Sequence, residues 1–371
     1  ILDLKEISLA VFDEAHRAVG NYAYTVLGSR LTSQNRGIRI IGMTASLPTG
    51  ETRVKEILRS LSIPRIEVKD QRSRDVKPFV QRTGVEWVNL TLPPVVERIR
   101  GKLREALMRR LQALKGAGLV KGIESIRFTT LLGIRGKVRE SGDAELWRAL
   151  LSAIRLTHAL NLVETQSILS LVRFLEKKFA GGGGRELAGD PHVSEAYEAA
   201  RGALVLGVEH PKIKKLKESL GNLKPHEKAI VFTSYRDSVE AICSALESSS
   251  LKVGRLIGKG GKGGQSQSKQ IKTLEDLRSG VSNVLVATQV GEEGLDVADC
   301  NLVVFYDNVP SAVRFVQRRG RTGRVAPGKI VVFLTKGTKD EAYYWAGRRK
   351  MKDNVKVIKK IGNRENGPLD K

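Results

Sequence analysis

The sequence predicts an α/β protein in which two parallel-sheet regions are separated by a mostly helical segment. Short apolar runs with polar residues at their carboxyl ends occur near the start of the chain, at 7–12 and 38–43. Such runs are typical of an open α/β sheet. Apolar residues at heptad-like spacing dominate 94–208. Strand-like and helix-like runs alternate again after residue 209, which favours a parallel sheet with helices on both faces.

The second α/β region begins after the dipeptide His210-Pro211. Its β-rich runs predict strands at Ala229–Phe232, Val253–Ile257, Val284–Ala287, Leu302–Phe305 and Ile330–Leu334. The apolar periodicity between them predicts helices at Asp237–Leu246 with Asp237 as the cap, at Gln267–Leu277 ending near Gly280, and at Ser311–Arg319.

These patterns divide the chain into four parts. We expect the first sheet region at 1–93, the helical insertion at 94–208 and the second sheet region at 209–346. The remaining 347–371 is basic and poor in apolar residues, so we expect a partly loose tail.

The charge balance indicates a polyanionic partner. The 371 residues include 64 Lys and Arg against 40 Asp and Glu, a formal charge of +24. A surplus this large favours nucleic acid first and an anionic membrane second. No apolar run approaches the length of a membrane-spanning helix, which weakens the membrane alternative. Cys243 and Cys300 lack metal-site or disulfide spacing, so we expect a reducing, cytoplasmic setting.

Two polar clusters follow the strand-like runs of the first region. Asp13-Glu14-Ala15-His16 follows the first run. Adjacent acids at a strand end can give one carboxylate to magnesium and the other to a water, as phosphoryl transfer requires. The tetrapeptide alone is a weak signal, because any acidic loop can contain it. Thr44-Ala45-Ser46 follows the second run, where the hydroxyls could relay hydrogen bonds or form a simple turn.

Two further clusters follow strands of the second region. A glycine-punctuated acidic loop at 287–296 allows backbone amides to approach a phosphate and leaves a carboxylate for a ribose hydroxyl. The segment 317–324 reads QRRGRTGR, and arginines at this density suit stabilisation of a transferring phosphoryl group. A solvated basic patch or a plain nucleic-acid contact is the alternative for that segment.

In order, DEAH at 13–16, TAS at 44–46, VFTSYR at 231–236, ATQVGEEGLD at 287–296 and QRRGRTGR at 317–324 resemble motifs II to VI of superfamily-two helicases. The surrounding sequence at 11–24, 158–166, 302–324 and 337–345 is similar to the archaeal Hef helicases, relatives of the Fanconi anaemia M translocase. This resemblance implies two RecA-like lobes, the first incomplete here, with a thumb-like helical insertion used on branched duplexes.

The resemblance also implies roles for individual residues, with ATP and Mg²⁺ as cofactors. Asp13 would hold the magnesium, and Glu14 would orient the hydrolytic water. The residues expected to couple the nucleotide state to domain closure are His16, Thr44 and Ser46. Those expected at the nucleotide from the second lobe are Gly294, Asp296, Gln317 and the finger arginines Arg321 and Arg324. Those expected at the nucleic-acid backbone are Thr233, Ser234, Arg236, Thr288 and Gly291.

The sequence departs from this family in two places. No GxGKT phosphate-binding motif occurs in the 371 residues, and Ile1 falls almost directly into a strand pattern. We therefore expect a truncated chain first, and second a split motor whose missing half-lobe is a separate polypeptide. The strands that remain should have an unpaired edge and a bare apolar face. No ERKxxxD-like nuclease cluster follows the second lobe.

The expected function is an ATP-dependent DNA helicase or translocase that remodels forked or branched DNA in repair and replication restart. A basic run on the insertion would contribute to DNA binding, and it consists of Arg98, Arg100, Lys102, Arg104, Arg109 and Arg110. Two alternatives remain at this stage. One is an RNA-directed ATPase of the RIG-I-like type, and the other is a non-catalytic nucleic-acid-binding subunit.

Overall fold

The computed structural model describes residues 3–44, 50–69, 73–76, 78, 83–123, 126–181, 185–260, 263–288, 300–308 and 328–365. Two compact units divide the chain. The first contains the described residues of 1–84, 309–329 and 343–371, and the second contains those of 85–308 and 330–342.

The first unit is built on two parallel strands, β1 (Leu9–Phe12) and β2 (Arg39–Gly42). Helices α1 (Ala23–Gln34) and α2 (Glu51–Ser60) pack against them. The small core consists of Phe12, Ala15, Ala18, Leu31, Ile57 and Leu61. Gly28 of α1 lets the two helices approach closely, because a Cβ there would lie 2.6 Å from the Ser60 carbonyl oxygen.

The strands of the first unit expose apolar side chains. Leu9, Val11, Ile41 and Met43 are 48–52% exposed. Neither strand has a second neighbour among the described residues. The expectation of a bare apolar face with an unpaired edge is therefore confirmed for this part of the chain.

The helical segment of the second unit follows the predicted periodicity. Helix α3 (Pro94–Gly116) has proline in its first turn, where an amide donor is not needed. Its buried residues recur at helical spacing from Val96 to Leu114. The helices after it are α4 (Phe128–Gly133), α5 (Arg135–Glu140), α6 (Ala144–Thr165), α7 (Ile168–Phe179), α8 (Arg185–Ala188) and α9 (Pro191–Val205). They share one apolar core.

Six strands form the sheet of the second unit. They are β3 (Thr83–Leu90), β4 (Ala229–Phe232), β5 (Val253–Leu256), β6 (Val284–Ala287), β7 (Leu302–Phe305) and β8 (Gly328–Thr335), in the spatial order β3-β8-β7-β4-β6-β5. The strands β7, β4, β6 and β5 are parallel neighbours. The associated helices are α10 (Pro211–Gly221), α11 (Arg236–Leu246) and α12 (Gln267–Ser279). The last helix, α13 (Lys339–Glu365), begins in this unit and continues in the first. The predicted α/β class and the five predicted strands are confirmed.

Three local predictions differ from the structure, and a fourth is not tested. β3 was not predicted, and because it joins the second sheet the compact units change at Gly84, not at residue 93. The N-cap position of α11 is Tyr235 rather than Asp237, which lies in the first turn. The tail expected to be partly loose is helical as far as Glu365. The helix predicted at 311–319 lies outside the described residues.

Across the described ranges, no helix is both long enough and apolar enough to cross a membrane. Cys243 is buried in the core of the second unit, and burial raises the pKa of its thiol to about 12.

His210 makes the stability of the second unit sensitive to acid. The ring is buried at the start of α10, and its Nδ1 accepts a hydrogen bond from the Lys212 amide at 3.3 Å. Burial, followed by the nearby Lys212 charge, lowers the pKa of His210 from 6.5 to about 3. The pKa of His210 is lower in the folded state than in the unfolded state. Its contribution to the free energy of unfolding is therefore complete above about pH 6.5 and is lost as the pH falls towards 3.

Replacing His210 with asparagine should therefore reduce this acid sensitivity. Asparagine keeps an acceptor for the cap but has no group that titrates in this range. Between pH 7 and pH 4.5, the wild-type chain should lose about 3 kcal/mol more unfolding free energy than His210→Asn. Urea unfolding of both proteins at the two pH values measures the difference. Equal losses would show that His210 is not the acid-sensitive group.

Candidate functional site

The acidic turn follows β1 in a constrained backbone. The Phe12 carbonyl accepts from the Met43 amide at 2.8 Å, and the Ala15 amide donates to the Met43 carbonyl at 2.9 Å, so the ends of β1 and β2 stay together. Glu14 between them is left-handed, with φ of 51°. That conformation is uncommon for a residue with a side chain and often marks a functional turn.

His16 links the acidic turn to the end of β2. Its Nδ1 lies 2.9 Å from Thr44 Oγ1 and 3.1 Å from Glu14 Oε2. Burial lowers the pKa of His16, although the Glu14 charge acts in the opposite direction. A neutral ring can accept the Thr44 proton at Nδ1. Glu14 Oε2 is then left without a hydrogen bond among the described groups.

The oxygens of this turn fit a magnesium ion that is also held by phosphate. Asp13 is exposed, and the Glu14 oxygen beside it is buried without a hydrogen-bond partner in the described structure. No group of three or more His, Cys, Asp or Glu residues suited to a metal occurs in the described ranges. Magnesium commonly uses one or two carboxylates, with waters and phosphate oxygens completing its shell. Asp13 would hold it here.

The strand ends of the second sheet carry the other described site residues. Thr288 follows β6 and is buried, with its amide donating to the Leu256 carbonyl at 3.0 Å. Ser234 follows β4 and is exposed. Arg236 begins α11, and its Nη2 donates to the Gly258 carbonyl at 2.8 Å. Ser234 and Arg236 thus lie in one turn at the carboxyl end of the sheet.

Thr233 does not fit its predicted contact with the nucleic-acid backbone. It is 0% exposed, and its hydroxyl lies 3.0 Å from both Gln166 Oε1 and Asp307 Oδ2. A side chain with no exposed surface cannot meet a phosphate in this arrangement. Thr233 instead joins the helical segment to the sheet.

A buried ion pair lies below these strand ends. Lys212 Nζ is 2.6 Å from Asp340 Oδ2, and both side chains are fully buried. The same ammonium donates to the carbonyls of Thr165 and Tyr306 at 2.8 and 2.7 Å. Asp340 in turn accepts from the backbone amides of Asn308 and Thr335. Burial raises the pKa of Asp340, while Lys212 opposes the rise.

The remaining predicted site residues lie outside the described residues. They are Ser46, Gly291, Gly294, Asp296, Gln317, Arg321 and Arg324. Their assigned roles stay predictions.

The basic run of α3 separates into two groups. Three of its cations pair with carboxylates: Arg100 with Glu97 and Glu164, Lys102 with Glu195, and Arg110 with Asp190. Arg98, Arg104 and Arg109 are exposed, without an ion pair in the described structure. The exposed side chains of the second group are the more accessible to a phosphate backbone.

Sequence reasoning did not find Gln166, Lys212, Asp307 and Asp340. Asp307 had a signal, because it follows an apolar strand just as Asp13 does. The burial of Lys212 with its partners left no signal in the sequence, since an isolated lysine after a proline is ordinarily solvated.

Comparisons with known proteins agree with this architecture. Residues 211–326 match the helicase conserved C-terminal domain. The chain is similar to the crystal structure of the Pyrococcus furiosus Hef helicase domain, with 37% identity and a TM-score of 0.71, over 94% of this chain and 75% of that one.

Longer relatives match as well. A Methanocaldococcus jannaschii protein with the provisional name of an ATP-dependent RNA helicase is 33% identical, over 97% of this chain and 47% of its own length. The Sclerotinia sclerotiorum ATP-dependent DNA helicase mph1 is 30% identical, over 97% of this chain and 32% of its length. The chain thus spans less than half of each.

The two groups of α3 arginines should differ in their effect on stability. Burial acts to raise the pKa of Asp190, but Arg110 and two amide donors more than offset this, and the net pKa is lowered. Arg110→Met removes a partner of a buried carboxylate and should lower the unfolding free energy by about 2–4 kcal/mol. Arg109→Met, on the exposed face, should change it by less than about 0.5 kcal/mol. Urea unfolding measures both, and equal effects would contradict this division.

Proposed function

Because this chain belongs to the Hef family of superfamily-two helicases, we propose that it is the motor portion of an ATP- and magnesium-dependent DNA helicase or translocase acting on forked or branched DNA. The observation that carries the proposal is the acidic turn. Asp13 and Glu14 lie at the carboxyl end of β1, connected through His16 to Thr44 at the end of β2.

The two carboxylates of the acidic turn can take different roles in ATP hydrolysis. Magnesium, when bound, would neutralise charge on the transferring phosphoryl group. Asp13, which is exposed, would hold that ion. Glu14, whose backbone is left-handed, orients the attacking water. His16 and Thr44, with Ser46 beyond them, couple this turn to closure of the second lobe.

The second lobe supplies the groups that meet the nucleotide from the other side and those that bind DNA. Arg321 and Arg324 act as finger arginines that stabilise charge in the transition state, with Gln317 beside them. Gly294 and Asp296 contact the nucleotide ribose and phosphates. Ser234, Arg236, Thr288 and Gly291 contact the nucleic-acid backbone. We also propose a cytoplasmic location.

Hydrolysis should require a phosphate-binding half-lobe that these 371 residues do not contain. The 371 residues contain no GxGKT motif, and the apolar side chains exposed on β1 and β2 offer a surface for such a half-lobe. The chain alone should show no DNA-stimulated ATP hydrolysis. Adding a polypeptide with the motif-I half of a Hef lobe should restore hydrolysis, and Glu14→Gln should abolish it. Magnesium-dependent turnover by the chain alone, lost in Glu14→Gln, would refute the requirement.

The exposed arginines of α3 should contribute preference for branched DNA. Arg104→Ala combined with Arg109→Ala should bring the affinities for forked and linear duplex several-fold closer together, because these cations lack internal partners. Lys214→Ala with Lys224→Ala removes the same charge from exposed sites outside the insertion and is the matched control. Fluorescence anisotropy with both substrates measures the ratio. If both pairs of substitutions change this affinity ratio equally, α3 does not contribute the preference for branched DNA.

An RNA-directed ATPase is the second candidate, favoured by the name of the M. jannaschii relative. Competition between DNA and RNA cofactors in the reconstituted ATPase assay distinguishes the two, because contacts to the 2′-hydroxyl decide between them. A non-catalytic binding subunit would instead bind DNA without hydrolysis in any reconstitution.

A further inference from the structure

The second half of α6 holds the turn that follows β4. The residues Thr233–Arg236 are called the 233–236 turn below. The His158 ring lies 5.2 Å from the Tyr235 ring in an edge-to-face arrangement. The Asn161 amide donates to the Tyr235 hydroxyl. Gln166, at the carboxyl end of α6, accepts from Thr233 at 3.0 Å. One helix of the insertion thus contacts two adjacent parts of this turn.

Asp307 completes the same contact from β7. Its carboxylate accepts from Gln166 Nε2 at 2.7 Å, and it shares the single proton of the Thr233 hydroxyl with Gln166 Oε1, since both oxygens lie 3.0 Å from that hydroxyl. It also accepts from the Ser234 amide at 2.7 Å and from the Ser234 hydroxyl at 2.9 Å. Four donors surround one buried carboxylate, so its charge is compensated by a fixed set of neighbours.

A side-chain amide suits the place of Gln166 in this network, because it donates and accepts at the same time. Its nitrogen donates to the Asp307 carboxylate while its oxygen accepts from the Thr233 hydroxyl. A carboxylate could not donate, and an ammonium could not accept. The Gln166 side chain is buried, so water cannot replace either bond without entering the junction.

We propose that Gln166 is a positioning residue that fixes the 233–236 turn for binding the phosphate backbone of a nucleic acid. The helical insertion and the turn then engage one nucleic acid together. This inference rests on the proposed function, which assigns Ser234 and Arg236 to that backbone. Holding the turn before binding removes an ordering cost that a loose turn would add to association.

Two substitutions break the connection without adding charge. Gln166→Met keeps the length of the side chain but removes both hydrogen bonds. Thr233→Val keeps the shape and removes the hydroxyl that lies between Gln166 and Asp307. Ser170→Ala is the matched control: its hydroxyl is also fully buried, close to Gln166 in the chain, but bonds only within the insertion, to Ser167.

The experiment measures binding of the complete 371-residue chain to a fluorescent forked duplex over a range of salt concentrations, with urea unfolding of each variant. Gln166→Met and Thr233→Val should each weaken binding about five- to tenfold at 0.1 M salt and reduce the salt slope by about one phosphate contact. For Ser170→Ala the salt slope should equal that of the wild type, although the free energy of unfolding of this variant falls.

Unchanged affinity and slope in either folded variant overturns the proposal. If Gln166→Met fails to fold, the milder Thr233→Val decides the question by the same criterion. An equal change of slope in Ser170→Ala also overturns it, since any buried hydrogen bond would then suffice. Absence of salt-dependent fork binding by the wild-type chain refutes the proposed function itself, an outcome distinct from failure of the Gln166 variants.

Discussion

A buried ammonium group needs oxygen acceptors on every side from which water is excluded, and Lys212 finds them at the ends of three separate elements. Its partners are the Thr165 carbonyl at the end of α6, the Tyr306 carbonyl after β7, and Asp340 in the first turn of α13. Losing one partner of such a pair commonly costs about 3–5 kcal/mol, because the other charge stays buried. The ends of these elements are therefore held in one arrangement.

The candidate site depends on that arrangement. Asp307 and Asn308 directly follow the Tyr306 carbonyl that Lys212 binds, and Gln166 directly follows the Thr165 carbonyl. An apolar junction of equal volume could be as stable, but apolar contacts slide more easily than directional bonds. Each donor and acceptor here has a specific partner, so the loop after β4 has a defined position relative to α6. This polar junction therefore fixes the positions of the residues at the strand ends.

How far the sequence predicts this structure depends on the range of the interactions. Buried strands such as Ala229–Phe232 were predicted to the residue, because an apolar run between turns is a local signal. The acidic turn was also predicted, since it follows such a run. Thr233, however, was predicted to face nucleic acid and instead bonds to Gln166 and Asp307. These partners are 67 and 74 positions away, and a contact at that separation leaves no periodic trace in the sequence.

The net charge is likewise only a partial guide to the structure. The formal charge of +24 predicts a polyanionic partner but not the cations that would meet it. On α3, Arg110 is bound to the buried Asp190, whereas Arg109 beside it is exposed. Adjacent arginines thus have different physical roles, one stabilising the helical core and the other open to a phosphate. A polyanionic partner would then meet the cations that the fold leaves unpaired, and the formal charge alone cannot tell these from the paired ones.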